Sequence, residues 1–497
     1  MSNINKSSLA TQIQTIINGL TVAVETKQRL VYLLKAAQNV GANASTISTQ
    51  LQTLITTVAT SESLTEVAML INALALITTD RVLSVSSTGA LPTTATPGSV
   101  YFVDGVGFPY IRRLNGDWVL IETNSQGAGA TESAYAWGRN AYGALGDNTT
   151  VSKTSPVSVV GGFTNWIQVT AGYRHSVGVR ADGTAWAWGR NNNGQVGDNT
   201  TVTKSSPVAV VGGFTNWVQV TAGTDHTVGV RANGTAWAWG NSYAGQVGDG
   251  TANPRSSPVS VVGGFTDWIQ VSAGNNHTIG LRANGTAWGW GYNGEAGTYF
   301  GLPNGGQLGD NTRLNRSSPV SVVGGFTNWV QVSAGSNHTV AIRANGTAWA
   351  WGQNYSGRLG DNTTTVRSSP VAVAGGFSDW VQVSGGREHT VGVRANGTAW
   401  AWGRGSYGAL GDGTTVTRSS PVSVVGGFTD WVQVGGGGYF CVGLRANGTA
   451  WAWGNANYGR LGDGTAVSKS SPVSVVGGFT DWVQIDAGQT ISFALRS

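Results

Sequence analysis

The sequence predicts a mainly β fold: a seven-bladed β-propeller with an N-terminal α-helical segment and a small β-hairpin module. Three observations carry this. A motif ending in A-W-G recurs with its tryptophan at 137, 188, 239, 290, 351, 402 and 453, a spacing of 51 residues with one interval of 61. Charged residues make up 11% of the 497-residue chain, with 75 glycines and 21 tryptophans, against about 25% charged in an ordinary globular domain. The repeat region also begins and ends on half a repeat. A period of this length is the mark of a repeat architecture.

Each copy reads as four strands. W-[VI]-Q-V-[ST]-A-G alternates with period two and makes the first. H-T-V-G-[VL]-R makes the second, and A-[ND]-G-T supplies a hairpin turn that tolerates positive φ. T-A-W-A-W-G makes the third. A Gly/Asn-rich loop ending in L-G-D or V-G-D leads to the fourth, S-S-P-V-[SA]-V-V, with proline at its start. Four strands per copy is the content of a propeller blade. The region opens on Ala134–Gly138, a third strand without its second, and closes on Ile491–Arg496, a second strand without its third. Pairing residues 134–160 with the C-terminal strands over 134–497 would complete a blade and remove an open sheet edge.

Upstream, residues 1–80 read as a helical anchoring or oligomerisation segment. Leu9, Ile13, Ile16, Ile17 and Leu20 share a helical face, and Ser63-Leu64-Thr65-Glu66 reads as a capping box. Residues 81–123 read as β-hairpins with an Asn115-Gly116 turn, and 124–133 as a linker.

H-T-V-G-L-R-A-N-G-T-A-W-A-W-G, followed by G-x-L-G-D and S-S-P-V, resembles the regulator of chromosome condensation repeat family in all seven copies. That resemblance implies the propeller. It leaves function open, because the fold serves an exchange factor, a photoreceptor and inhibitory propellers. In the photoreceptor, the resemblance implies a G-W-R-H-T pattern with a sensing tryptophan. Here the matching positions hold Tyr173, Thr224, Asn275, Ser336, Arg387 and Gly438. The exchange factor's basic N-terminal tail is also missing. L-P-T…G-x-x-Y…N-G-x-W over residues 81–123 is similar to a small module of bacteriophage fibre proteins.

Composition narrows the function classes. A net charge of +5 with no lysine/arginine run speaks against nucleic acid. The first residues show no secretory pattern, and no stretch of 18 apolar residues suggests membrane insertion. A single cysteine, Cys441, excludes an intrachain disulfide. No nucleophile–base pair or phosphate loop stands out, so no enzyme and no cofactor is expected. His175, His226, His277, His338 and His389 share one repeat position. A metal ring is excluded because one histidine per blade spreads them around a circle. Phe440 and Ile491 fill the same slot, so packing or hydrogen bonding is expected. Asp147, Asp198, Asp249, Asp310, Asp361, Asp412 and Asp463 offer one carboxylate per copy and are expected to cap turns.

The copies differ in two places: the pair before the histidine and the loop after A-W-G, which is ten residues longer in the fourth copy. In an up-and-down blade both lie at the same end. Tyr142, Tyr173, Tyr243, Tyr292, Tyr299, Tyr355, Tyr407, Tyr439 and Tyr458 fall there, with Phe300, Arg174 and Arg387. Tyrosine is the large, rigid, amphipathic contact residue of binding loops. These twelve residues are the expected ligand-binding face. The expectation is a virion protein assembled in the host cytoplasm, a phage fibre or adhesin. Its helical end would join other virion proteins and form a homo-oligomer, a trimer by preference. Its propeller would hold a host-surface glycan or protein. The alternatives are an architectural capsid or tail decoration and a cellular regulatory propeller with a protein partner.

Overall fold

A computed structural model describes residues 133–294 and 305–497 in full. Elsewhere it describes the backbone of six short strands: Leu83–Val85, Val100–Val103, Pro109–Arg112, Trp118–Leu120, Thr298–Tyr299 and Leu302–Pro303. The helices expected over 1–80 and most of the linker lie outside the described residues. The chain divides into two compact units, Met1–Gly129 and Ala130–Ser497.

In the first unit, β1 (Leu83–Val85), β2 (Val100–Val103), β3 (Pro109–Arg112) and β4 (Trp118–Leu120) form one sheet in chain order. β2–β3 and β3–β4 are antiparallel, as hairpins require. β1 departs from the hairpin reading, because it pairs with β2 in parallel. A parallel pair needs a crossover of a dozen or more residues, and 86–99 supplies the length.

The second unit is a propeller of seven four-stranded sheets. The first uninterrupted blade runs Trp166–Ala171, His175–Arg180, Ala185–Gly189 and Lys204–Ala209, from axis to rim. One sheet is composite: Trp482–Ala487 and Ile491–Arg496 pair with Ser133–Gly138 and Lys153–Ser158. Its central ladder runs from Ile491 opposite Gly138 to Arg496 opposite Ser133. The expected rim strand is displaced. It starts at Lys153, so Pro156 lies inside it, at a register shift where the ladder is already interrupted. A residue without an N–H is tolerated there.

Neighbouring blades are stitched at the axis. The glutamine of W-[VI]-Q-V accepts a hydrogen bond from a backbone N–H of the next innermost strand in all seven blades. The series runs Gln168 to Val220, Gln219 to Val271, Gln270 to Val332, Gln331 to Val383, Gln382 to Val434, Gln433 to Ile485 and Gln484 back to Val169. The innermost strands cannot hydrogen-bond sideways as sheets, so these side chains replace the missing ladder. Farther out, seven apolar clusters fill the wedges between blades. Each holds two buried tryptophans meeting at a steep angle, such as Trp217 and Trp239, edge to face at 5.7 Å between ring centres. The tryptophan of A-W-G also reaches back to the preceding blade. The Nε1–H of Trp137, Trp188, Trp239 and Trp351 donates to a loop carbonyl there, at 2.9–3.0 Å.

The five histidines lie between blades, fully buried. The Nε2 of His175, His226, His277 and His338 meets a threonine hydroxyl of the next blade at 2.9–3.2 Å, and His389 meets the Cys441 sulfur. Each threonine donates its proton to a loop carbonyl, as Thr227 does to Gln195. Each therefore accepts from an Nε2–H. Nδ1 has no partner and packs against a glycine of its own blade: a methyl on Gly223 would come within 2.7 Å of it. Burial drives the pKa of His175, His226 and His277 down to about 3 and that of His389 to about 4, and His338 also falls well below the usual value. They are neutral hydrogen-bond donors, as expected of a structural role.

The end of the blade with constant sequence is equally regular. Gly183 takes φ of +74°, and a Cβ there would collide with the Thr215 carbonyl at 2.1 Å. Beside this turn Arg231 stacks on Phe214 at 4.1 Å, which leans on Trp237 at 4.9 Å. The same arginine–phenylalanine–tryptophan stack recurs at Arg282, Arg343, Arg394 and Arg445.

Depressed histidine pKa values fix the sign of acid sensitivity. The unfolded chain binds these protons near pH 6.5, and the native chain resists them to about 3 or 4. Stability is therefore full above pH 6.5 and falls as pH drops below it. Asp486 acts in the opposite direction between roughly 4 and 6, because burial raises its carboxyl to about 6. Asp225, raised by burial despite the charges of Arg190 and Arg174, acts in the same direction, so two carboxyls stand against five histidines. A denaturant series followed by tryptophan fluorescence is expected to show the loss. His277→Phe, copying Phe440, is expected to reduce the slope by up to about 1.4 kcal/mol per pH unit.

Candidate functional site

The turn between the first two strands and the loop between the last two lie together at one end of every blade. Backbone bonds tie them: Arg190 N–H donates to Arg174 O, and Arg404 N–H to Glu388 O. The loop itself is rigid. In the first full blade Asp198 accepts from Asn191 Nδ2 and from Thr200, and pairs with Lys204 at 3.2 Å. Asp249, Asp310, Asp361 and Asp412 bond the threonine two residues on in the same way, with an arginine in place of the lysine. The repeated aspartates cap turns as expected, and among the described residues no acid or histidine cluster could hold a metal.

Three features occupy this rigid end. At the axis, Gln489 crosses the mouth of the central channel and donates to Thr224, Asn275 and Ser336 of blades across the ring. Tyr173 and Arg387 line the same mouth.

A second group surrounds Glu388. Its carboxylate accepts from Arg404 at 2.8 Å, from Tyr439 Oη at 3.1 Å and from Ser356 at 3.3 Å, and it lies 4.0 Å from the buried Arg358. Burial alone would raise the pKa of Glu388, but the Arg404 hydrogen bond and the charges of Arg358 and Arg404 hold it below the usual value. Arg387 stacks on Tyr439 at 5.0 Å, and Tyr407 lies 6.0 Å from the same ring.

The third group joins the composite blade to its neighbours. Arg174 lies over both Tyr173 and Tyr142, at 4.5 and 5.2 Å, and Arg139 lies over Tyr458 at 4.9 Å. Burial would raise the Tyr173 hydroxyl pKa, but the Arg174 hydrogen bond and the charges of Arg174, Arg139 and Arg387 bring it below normal. Tyr407 and Tyr458 adopt φ of +63° and +65°, a conformation unfavourable for a side chain of this size. Both side chains remain about half exposed.

A family model described as the RCC1-like domain matches residues 133–494. The chain belongs to the RCC1-like domain family. Among curated proteins it is 31% identical over 293 residues to the ultraviolet-B receptor of Arabidopsis thaliana, covering 58% of this chain and 64% of the receptor. It is 26% identical to the human regulator of chromosome condensation, over 68% of this chain and 84% of that protein. It is 26% identical to a human E3 ubiquitin-protein ligase over 73% of this chain but only 7% of the ligase. The chain thus spans less than two thirds of the receptor and a small part of the ligase. Among solved structures, Prp20p of Saccharomyces cerevisiae superposes with a TM-score of 0.65 at 19% identity, covering 74% of this chain and 92% of that one. Human WBSCR16 gives the same score and identity, over 74% and 99%.

On this RCC1-like propeller seven of the twelve predicted face residues fall into two of these groups, and five lie outside them. Tyr142, Tyr173, Arg174 and Tyr458 join the composite-blade group, and Arg387, Tyr407 and Tyr439 the Glu388 group. Tyr243 stands apart with 71% of its surface exposed. Tyr355 lies near Arg313 and Arg358, whose charges oppose the rise that burial causes in its pKa. Tyr292 is tied by its backbone N–H to Asn276 O. Only the backbone of Tyr299 is described, in a two-strand pair with Leu302, and Phe300 lies outside the described residues.

Sequence reasoning missed Arg139, Arg358, Arg404, Arg460 and Gln489, and it met Glu388 only as half of the variable pair before His389. The signal was present. The variable position of G-x-L-G-D reads Ala144, Gln195, Gln246, Gln307, Arg358, Ala409 and Arg460, and the residue after W-G also varies.

Glu388→Gln removes the one carboxylate facing Arg358 and is expected to cost on the order of 1–3 kcal/mol. Tyr439→Phe, which loses a single hydrogen bond, is expected to cost about 1 kcal/mol. Equilibrium denaturation of the two single variants and the double variant checks both, with a coupling expected because they share the carboxylate.

Proposed function

We propose that the propeller is a noncovalent binding module that takes a macromolecular partner on its variable end, and that this partner is a protein. The observation that carries the reading is the clustering of arginine and tyrosine on one rigid end of an otherwise uniform repeat. Arginine and tyrosine are enriched among the residues that dominate protein interfaces, and Tyr407 and Tyr458 there are half exposed on left-handed backbone. Relatives support the direction: Prp20p is described with binding to Gsp1p and histones, and yeast RCC1 in a complex with Kap60. Binding alone is proposed, with no chemical step.

A second reading keeps the same face but makes it the tip of a virion fibre that holds a host-surface glycan. The fibre-like motif over 81–123 favours it. In that reading residues 1–80 anchor to other virion proteins and assemble a homo-oligomer, a trimer by preference, in the host cytoplasm. Weak single contacts would then multiply through effective concentration.

The experiment compares the full chain with a Tyr243→Ala/Tyr407→Ala/Tyr458→Ala variant for binding to candidate protein partners and to a glycan array. All three side chains are exposed, so folding is expected to be unchanged. At least a tenfold loss of affinity for a protein ligand is expected. Equal binding by the variant would remove the face from consideration, and retention on glycans alone would favour the fibre reading.

A further inference from the structure

The repeat provides an internal comparison at the variable end. In one blade the residue before the histidine is Glu388, held between Arg358 from the preceding loop and Arg404 from its own. The corresponding residue of the composite blade is Thr490. The loop positions that match Arg358 and Arg404 again hold arginines, Arg460 from the preceding loop and Arg139 from its own, and both touch the backbone at 489–490. Arg460 Nη1 donates to Gln489 O at 3.3 Å, and Arg139 N–H donates to Thr490 O at 3.0 Å. The arginine pair has been kept while the carboxylate between them is absent.

Arg460 makes the imbalance costly. It is 5% exposed, its Nε donates to Asn457 O at 2.9 Å, and among the described residues no carboxylate pairs with it. Burial brings its pKa down to about 10, with Arg139 and Arg387 adding repulsion and the Tyr458 and Tyr173 hydroxyls opposing the fall. Arg174 adds a third cation at the next blade's equivalent of position 490; it lies near Asp225, which Arg190 already pairs, and its Nε is buried and unpartnered. Thr490 directs its hydroxyl to Tyr173 O and contributes no charge. A buried cation without a counter-ion is strongly unfavourable unless something supplies one.

We infer that Arg460, Arg139 and Arg174 form a carboxylate-binding site on the composite blade, occupied by a glutamate or aspartate side chain of a partner protein. A carboxylate is the group that Glu388 places in the equivalent setting, and it arrives there on a polypeptide. Guanidinium groups pair with carboxylates through charge-assisted hydrogen bonds. Tyr458, whose ring lies against Arg139, forms the exposed wall. This rests on the reading of the variable end as a binding face.

The test uses the full chain and two variants. Thr490→Glu restores the internal carboxylate, and Arg139→Gln removes the partly exposed cation while leaving buried Arg460 in place. Thermal unfolding reads the electrostatics without any partner: Thr490→Glu is expected to raise the midpoint. No change or a fall would overturn the unpaired-arginine site, whatever the face binds. Calorimetric titration with a Glu-rich peptide, a Gln-for-Glu control peptide and glucuronate reads the ligand. The Glu peptide is expected to bind the native chain at least tenfold more tightly than the control or the sugar, and at least tenfold more tightly than it binds either variant. Equal affinity across the three proteins would overturn the site. Preference for glucuronate would overturn the protein assignment while leaving the thermal result intact.

Discussion

The propeller depends on one ladder, where Ile491–Arg496 pairs with Ser133–Gly138. Every other sheet is local in sequence, made from strands that follow one another. This one joins residues more than 350 positions apart and carries the entropy of closing the largest loop in the unit. What it secures is larger than one sheet. With it in place, the Gln484–Val169 bond and the cluster around Phe493 and Trp188 can form, and no wedge between blades is left open to water. Without it, two strand edges and two apolar wedge faces would be exposed together, a hazard for association between chains.

Closure also explains the division of labour between the two ends of each blade. Axis glutamines and paired tryptophans repeat in every copy, and buried histidines in five of the seven, because each contacts a neighbouring blade as well as its own. They leave little freedom in the strands. The loop aspartates remove freedom from the loop backbone as well. What remains variable is a handful of side chains at one end, and there the molecule places its arginines, tyrosines and the Gln489 bridge. Rigidity around them means that a partner meets groups already ordered.

The propeller was legible because its signals are local and repeated: Asn-Gly turns, alternation in W-V-Q-V, and half-blades at Ala134 and Ile491. The position of Pro156 was misjudged because a strand with a bulge does not follow simple alternation. The parallel pairing of Leu83–Val85 was missed because strand direction depends on a crossover path that composition does not encode. At the variable end, tyrosines were visible as an enrichment. Glu388, Arg358 and Arg460 were not, because their meaning lies between copies. Arg358 is unremarkable until it is seen opposite Glu388, and Arg460 until it is seen opposite Thr490. Such a relation requires knowing which loop of one blade faces which turn of the next.

The arginine–phenylalanine–tryptophan stacks at the constant end have a consequence for docking. A ligand recognising that end alone would find nearly equivalent settings around the ring and could not distinguish rotation about the axis. Choosing one sector among seven equivalent ones is worth about 1 kcal/mol of orientational entropy. A body with near-sevenfold symmetry can hold a partner at a fixed azimuth only through features that occur once. Cations clustered beside the chain's own seam are such a feature, and they give the propeller a direction.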